Sequence, residues 1–211
     1  MDLGPTIIKK CSACSGLIEE YTILSGNTFY AKYWTDGKCE APMLPDQPWL
    51  VKCPHCQSLI WIDEQEKVAE INELSLDTNA DYDQAEPYDM PGLEDYFGIL
   101  EKNKLTREKE LYVRIRAWWA GNDERREVKS IPKDISDVER SNLQVLVNML
   151  DTSDDNDCIM IAEIKRELGD FEGAIAVLEK TFPGELSQAA SIIRELARNQ
   201  YSFVEEINPE N

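Results

Sequence analysis

The chain has little of what the common catalytic sites need. Its 211 residues include one histidine, His55, and that histidine lies inside a C-x2-C pair. Neither a Ser-His-Asp nor a Cys-His arrangement can therefore be built in the rest of the chain. The glycine-rich phosphate-binding motifs G-x-x-x-x-G-K-S/T and G-x-G-x-x-G are absent from the sequence too. We expect no enzymatic activity, and an enzyme that works with carboxylates alone stays open as an alternative.

Basic residues and long apolar runs are also scarce. There are 22 Lys and Arg residues against 41 Asp and Glu residues, which gives a formal net charge of -19. This charge repels phosphate backbones and anionic bilayers, and so argues against nonspecific binding to nucleic acids or membranes. No run approaches the roughly 20 apolar residues of a membrane span, and the first residues lack the apolar stretch of a signal peptide. We therefore expect a cytoplasmic protein.

The charge is distributed unevenly along the chain. Residues 1–62 hold five Lys and six acidic residues, residues 63–92 hold one Lys and ten acidic residues, and residues 93–211 hold sixteen basic and 25 acidic residues. These shifts predict an N-terminal module at 1–62, an acidic connector at 63–92 and a C-terminal module at 93–211. In the connector, Val68, Ile71 and Leu74 recur every third residue and predict a loosely docked helix over about 63–76.

Four cysteines form the strongest signal in the chain. Cys11 and Cys14, and then Cys53 and Cys56, make two C-x2-C pairs that frame 38 residues. Zinc binds four thiolates tetrahedrally, and a two-residue gap lets one tight turn present two sulfur atoms to one ion. The pattern predicts one structural Zn²⁺ ion held by these four residues. Four thiolates leave no open position for water, so a catalytic zinc is not expected.

Other roles for the cysteines and the histidine remain as alternatives. A C-x2-C pair can be a redox motif, but that motif is expected once, between a strand and a helix. We expect Cys39 to be a free thiol in a loop, and His55 to face solvent. His55 in place of one cysteine is the variant ligand set.

The residues between and after the cysteine pairs favour strands. Residues 17–24 and 28–34 are rich in β-branched and aromatic residues and are separated by a turn at 25–27, which predicts a β-hairpin. Residues 59–62 predict a third strand. With its two cysteine turns, the segment 9–62 resembles the zinc-ribbon family, and the resemblance implies one zinc ion beside a three-stranded antiparallel sheet.

From residue 93 onward the patterns are helical, so the predicted fold class is α+β. Helices are expected near 93–100, from Thr106 to a stop at Gly121-Asn122, and over 137–150 behind a Ser136–Glu139 capping box. Three more are expected near 156–168, 171–180 and 185–199. The short loops between them predict antiparallel helical hairpins.

The segment IMIAEIKRELGDFEGAIAVLEKTF carries small residues at two packing positions, Ala162 and Ala174, on either side of a turn at 169–171. It resembles one tetratricopeptide-type repeat. The resemblance implies a partner-binding groove on the first helix of the pair. That groove would be lined by Asn156, Ile159, Glu163 and Arg166.

Residues 102–133 hold ten basic and five acidic residues together with Tyr112, Trp118 and Trp119. Such a mixture occurs where nucleic acids bind, so a nucleic-acid-associated factor that uses the ribbon and this stretch is the alternative function. The simpler interpretation is that the tryptophans belong to the core and that Arg125 and Arg126 pair with acidic residues.

The chain as a whole resembles uncharacterised bacterial zinc-ribbon proteins that carry an SGNT turn and a W-x-D-G turn, which are residues 25–28 and 34–37 here. That resemblance implies no function. The function we expect is a protein-protein interaction adaptor, and its charge favours a basic partner, such as a nuclease toxin.

Overall fold

A computed structural model describes residues 1–72, 82–102, 104–127 and 134–207. Contacts divide the chain into two compact units. The first unit consists of Met1–Ala31 and Glu40–Glu101, and the second of Lys32–Cys39 and Lys102–Asn211. The second unit therefore takes one short segment from between the two cysteine pairs, and the first unit contains residues of the predicted acidic connector.

The described residues form eight strands and six α-helices, with the strands before the helices, in agreement with the predicted α+β class. The strands are β1 (Asp2–Lys10), β2 (Leu17–Ser25), β3 (Lys32–Tyr33), β4 (Cys39–Glu40), β5 (Leu50–Lys52), β6 (Leu59–Trp61), β7 (Glu66–Ile71) and β8 (Glu86–Pro87). The helices are α1 (Leu93–Lys102), α2 (Arg107–Glu127), α3 (Asp137–Met149), α4 (Asp155–Glu167), α5 (Phe171–Val177) and α6 (Gly184–Arg198). No helix in these ranges has the length and apolar character that crossing a membrane requires.

The first unit is built on a four-stranded sheet in the order β7-β1-β2-β8. Strand β1 is antiparallel to both β2 and β7, and β8 pairs with β2 in parallel. The β-branched residues Ile8 and Ile18 are fully buried. Strands β5 and β6 form a separate antiparallel pair, whose Val51 and Ile60 pack with Ile18 in one core.

The predicted hairpin of residues 17–24 with 28–34 is wrong. Strand β2 pairs with β1, and within 28–34 only Lys32–Tyr33 forms a strand. The turn at 25–27 contacts another segment instead of closing a hairpin: the Asn27 backbone N–H donates to the Met43 carbonyl. The Asn27 side chain accepts from the Phe29 N–H. The nine-residue strand β1 offers β2 a longer partner than residues 28–34 do.

The predicted helix over 63–76 is also wrong where the structure describes it. A 3-10 turn, Ile62–Glu64, leads into strand β7, which pairs with the free edge of β1. Two apolar residues three apart fit a strand edge as well as a helix, and pairing with β1 supplies backbone hydrogen bonds that decide between them. Charged residues on β7 suit an edge strand, which must not recruit another chain. Residues 73–76 of that prediction lie outside the described part of the chain.

The second unit is helical. Helix α2 packs on α3, and α4 contacts α3, α5 and α6. The predicted capping box at Ser136 and Glu139 is confirmed. The predicted stop at Gly121-Asn122 is wrong, because α2 continues to Glu127. Gly121 serves packing instead: a Cβ there would lie 2.3 Å from a carboxylate oxygen of Glu139 on α3.

Candidate metal centre

The two cysteine pairs fold into the same local structure. The first lies between β1 and β2, and the second between β5 and β6. In the first turn the Cys11 N–H donates to the Gly16 carbonyl at 2.9 Å, and in the second the Cys53 N–H donates to the Ser58 carbonyl at 3.0 Å. The bonds that close each turn, from Ser15 to Cys11 and from Gln57 to Cys53, are also equivalent. Each strand-turn-strand segment therefore presents two thiols in the same way.

The residue after the second cysteine of each pair has a left-handed backbone. Ser15 has φ 65° and Gln57 has φ 59°. Residues other than glycine seldom adopt this conformation, and it is typical of sites where the surrounding structure imposes it. The Gly16 N–H, which follows Ser15, lies 3.4 Å from the Cys14 Sγ, and the Ala13 N–H lies 3.4 Å from the Cys11 Sγ.

The four thiols converge on one point. The Sγ atoms of Cys11, Cys14, Cys53 and Cys56 lie within 4.8 Å of one another. Between the turns, Cys11 and Cys56 are 3.9 Å apart, and Cys14 and Cys53 are 3.7 Å apart. A tetrahedron with metal–sulfur bonds of about 2.3 Å has edges of about 3.8 Å. Two of the six sulfur–sulfur distances therefore match a tetrahedral site, and the four thiols are close enough together to hold one metal ion.

Burial differs between the two cysteines of each turn. Cys11 and Cys53 are buried in the core of the first unit, and Cys14 and Cys56 are exposed. Burial raises the pKa of the Cys53 thiol to about 12, whereas hydrogen bonds from Ser58 lower the pKa of the Cys56 thiol to about 6. The cluster thus lies at the margin of the core, with one sulfur of each turn facing inward.

Neighbouring side chains hold the two turns in place. His55 is not in the cysteine cluster: its Nε2–H donates to the Leu17 carbonyl at 2.8 Å, and its ring packs on Gly16. Gln65 accepts from the Ser12 N–H at 2.8 Å and donates to the Trp61 carbonyl at 2.9 Å. Sequence spacing gives no signal for Gln65, whose partner in the first turn lies 53 positions away. Cys39 is exposed in β4 and outside the described metal cluster.

A second polar cluster lies inside the second unit. Asp36 is fully buried there, where its carboxylate accepts from the Asn122 amide at 2.9 Å and pairs with Arg126. The Trp119 indole N–H donates to the Asp36 carbonyl at 3.0 Å. The segment Lys32–Cys39 is thereby built into the helical unit by a buried ion pair and side-chain hydrogen bonds.

Three of the four predicted groove residues are buried within the protein. Glu163 and Arg166 are fully buried and paired at 2.5 Å, and Arg166 also donates to the Phe203 carbonyl at 2.9 Å. Ile159 is buried as well, whereas Asn156 is exposed. Residues 33–37 and 201–207 cover this side of α4, joined by hydrogen bonds between Thr35 and Glu205. Ile159, Glu163 and Arg166 therefore do not line an exposed groove.

The basic stretch is used in the same internal way. Arg125 is buried and paired with Glu139 at 2.8 Å, and Arg126 pairs with Asp36 and Asp123. Trp118 is buried too. The nucleic-acid alternative depends on Arg125, Arg126 and Trp118, and all three are buried or paired within the protein. Residues 128–133 lie outside the described part of the chain.

Glu167 carries a strongly perturbed carboxyl group. Its oxygens accept from the Trp118 indole N–H and the Asn122 amide, each at 3.0 Å. Burial, followed by the nearby carboxylates of Glu163 and Asp36, raises its pKa to about 8. Glu167 lies on the wall of a cavity of about 380 Å³ that Arg125 and Arg140 also line. The Trp118 hydrogen bond opposes this shift, so burial and the neighbouring carboxylates, which belong to the interior of the unit, explain the raised pKa.

No protein family model, curated protein or solved structure matches the chain. A function must therefore be inferred from the chemistry of the chain's own residues, and the cysteine cluster is the group of residues with the most defined chemistry.

Proposed function

We propose that the protein is a zinc-binding adaptor for protein-protein interaction, whose structural Zn²⁺ ion is held by Cys11, Cys14, Cys53 and Cys56. The convergence of four sulfur atoms within 4.8 Å, with two of their distances at the edge length of a tetrahedral site, supports this proposal. Tetrahedral thiolate sites select zinc or iron–sulfur centres, and a single ion of this geometry is typical of zinc. Four protein ligands complete the coordination, so the ion stabilises the fold and takes no part in a reaction.

The first unit has a physical need for such an ion. Its core joins two cysteines, Cys11 and Cys53, to a few residues of short strands. Strands β5 and β6 have three residues each. Small modules with little apolar surface to bury commonly gain the missing folding free energy from a bound metal. Zinc would join the turn after β1 to the turn after β5 and so hold the four-stranded sheet and the β5–β6 pair together.

The adaptor role is supported by the charge and by the missing catalytic motifs. A net charge of -19 favours a basic protein partner, because complementary charge accelerates association and discriminates against wrong partners. The polar groups of the second unit that the structure describes around Asp36 and Arg166 are buried and paired within the protein. They support the fold of that unit, and partner binding is assigned to other surfaces.

Native mass spectrometry of the protein isolated gently from its own source tests the proposal. We expect one zinc ion per chain and a stoichiometric protein partner, whose binding weakens as salt is raised. A metal-free chain would contradict the zinc site, and one zinc ion with no partner would contradict the adaptor role. Binding that is unchanged by salt would contradict a basic partner.

A further inference from the structure

A cleft lies beside the last helix of the second unit. It is lined by one face of α6 and by residues 179–182, which follow α5, and its volume is about 440 Å³. We call it the α6 cleft. Small-molecule sites in proteins commonly have volumes of about 300 to 1,000 Å³. The α6 cleft is therefore large enough for a small ligand, and it shares no residue with the metal centre.

The sequence of α6 places hydroxyl and guanidinium groups along this cleft. Four of the residues that line it follow one another at the helical spacing i, i+4, i+7 and i+11, which are Ser187, Ser191, Arg194 and Arg198. The acids of the same helix, Glu185 and Glu195, are not among the residues that line the cleft. This face of α6 therefore offers hydrogen-bond donors and positive charge without an acid.

Arg198 carries a positive charge that the protein does not compensate. Its guanidinium group has no acidic partner and no hydrogen-bond acceptor among the described residues. A shortage of acids is not the reason, because the chain has 41 acidic residues against 22 basic ones. Arg125, Arg126 and Arg166, by contrast, each pair with an acid. An uncompensated charge at a cleft favours the binding of an anion there.

Arg194 is held in place beside Arg198. Its Nη2 group donates to the carbonyl of Leu178, which follows α5, and no acid pairs with it in the part of the chain that the structure describes. A side chain that is already fixed loses less conformational entropy when it binds a ligand. The contact with Leu178 leaves the Nη1 group for that ligand.

Residues 179–182 change the charge of the cleft only slightly. The Lys180 ammonium group pairs with Asp155 at 2.7 Å, and Glu179 is the one acid among the described residues that line the cleft. Apart from the Lys180–Asp155 pair, the lining carries two positive charges and one negative charge. The cleft is thus locally cationic in a chain whose net charge is -19.

The donor groups of the cleft match a phosphate group. The hydroxyl groups of Thr181, Ser187 and Ser191 line it beside the two guanidinium groups, and none of the three has a protein partner among the described residues. A phosphate monoester has three acceptor oxygens and a charge of about -1.5 to -2 at pH 7. The planar donor fork of arginine binds two such oxygens at once. A carboxylate has two oxygens and a single charge, which is fewer than this set of donors can bind.

We propose that the α6 cleft binds a small phosphorylated molecule, whose phosphate group accepts hydrogen bonds from Arg194 and Arg198. The net charge of -19 repels polymers of phosphate and so favours a small ligand over a nucleic acid. A volume of about 440 Å³ suits a ligand of that size. The site goes beyond the proposed adaptor function and does not depend on it.

The test uses the full-length, zinc-loaded protein, with inorganic phosphate as the probe. The phosphorus-31 NMR line width of phosphate, titrated at constant pH and ionic strength, measures the affinity. We expect saturable binding at one site per chain. Acetate, added as a competitor, is expected to bind at least about tenfold more weakly.

Two variants locate the site. In the double variant Arg194→Gln, Arg198→Gln the affinity for phosphate is expected to fall about tenfold or more, because charge-assisted hydrogen bonds are lost. Arg198→Gln alone is expected to lower the affinity about threefold or more. Because Arg198 has no partner among the described residues, the single variant keeps the thermal unfolding of the unmodified chain.

The double variant Arg107→Gln, Arg140→Gln is the matched control, since it changes the net charge by the same amount. Each of these arginines donates to a backbone carbonyl, Arg107 to Met149 at 2.6 Å and Arg140 to Leu168 at 3.5 Å. The affinity of the control for phosphate is expected to stay within about twofold of the unmodified chain.

Four results would overturn the proposal. They are phosphate binding that does not saturate, an equal loss of affinity in the control, unchanged affinity in Arg198→Gln, and acetate that competes as well as phosphate itself. Tighter binding of a short single-stranded oligonucleotide, lost in the Arg194→Gln, Arg198→Gln variant, would identify a nucleic acid as the occupant and would likewise overturn it.

Discussion

Glu167 is the residue at which the electrostatics of the second unit make a definite prediction. Its pKa of about 8 in the folded chain compares with about 4.3 in an unfolded one. The folded state thus retains a proton that the unfolded state loses, so this contribution to stability is full below about pH 4.3 and is lost as the pH rises toward 8. Glu167→Gln removes the titration. We expect the free energy of unfolding of the variant to fall less between about pH 5 and pH 8.

Urea unfolding, followed by tryptophan fluorescence across that pH range, measures the difference. Gln presents one acceptor oxygen to the Trp118 and Asn122 donors, so the variant also loses about 1 kcal/mol at all pH values. The pH dependence itself is the diagnostic quantity. Asp36, whose pKa burial also raises, contributes a dependence that remains in the variant. The same pH dependence in both proteins would contradict the assignment.

Gly16 makes the residue-scale prediction for the cysteine turns. A Cβ at Gly16 would lie 2.4 Å from the His55 ring, so Gly16→Ala is expected to destabilise the first unit by about 1 to 3 kcal/mol. Gly98 in α1 is the matched control, because nothing lies within 4 Å of its Cβ position. There the same change is expected to stabilise by about 0.5 to 1 kcal/mol, as alanine favours a helix. Thermal unfolding by circular dichroism compares the two, and equal shifts would contradict the packing of His55 on Gly16.

The metal ligands could be predicted from the sequence at this scale, whereas most of the polar partners could not. The C-x2-C spacing is local, because one turn brings two sulfur atoms together. Gln65 and Asp36 act on residues far along the chain, and Asn122 lies 86 positions from Asp36. Only the fold brings such pairs together, so composition and spacing contain no signal for them.

Among the elements, the segment Lys32–Cys39 is expected to be essential to the helical unit. Asp36→Ala removes the buried partner of Arg126 and leaves the half-exposed Asp123 as the partner of that buried guanidinium, which costs about 3 to 5 kcal/mol. Asp123→Ala is the comparison: Asp123 pairs with the same arginine and with Lys38 of the segment but is 46% exposed, so its loss costs about 0 to 1 kcal/mol. Chemical denaturation of both variants measures the difference. A cost for Asp36→Ala no larger than for Asp123→Ala would contradict a dominant role of the buried Asp36–Arg126 pair.

The helices could be predicted wherever their ends are marked by local chemistry. Helix α3 begins at its capping box, and α4 ends before Gly169, which has φ 85°. The sequence predicts too early an end for helix α2, because Gly121 and Asn122 are typical of helix stops. In the structure Gly121 packs against α3 and Asn122 donates to Asp36. Strand β7 was mistaken for helix because its pairing with β1 is a tertiary contact. Local patterns predict an element only while no distant partner competes for it.

At the scale of the whole molecule, composition predicted the order of strands and helices but not the path of the chain. The charge shifts at residues 62 and 92 do not coincide with the two compact units, and the helical unit takes Lys32–Cys39 from between the cysteine pairs. Thr35 and Asp36 of this segment are buried in the second unit, where Arg126 compensates the charge of Asp36, so a charge in the sequence is no guide to exposure. The candidate metal centre, by contrast, lies entirely in the first unit.

The measurement that tests the central claim most directly is the zinc content of the full-length protein, determined by native mass spectrometry together with thermal unfolding, for the unmodified chain and two serine variants. Cys39→Ser is the control, because Cys39 is exposed and outside the cluster. We predict one zinc ion in the unmodified chain and in Cys39→Ser. Cys53→Ser is expected to lose the ion and the cooperative unfolding of the first unit, because bound zinc supplies folding free energy. A Cys53→Ser variant with unchanged zinc content and unfolding, or an unmodified chain without zinc, would contradict the account.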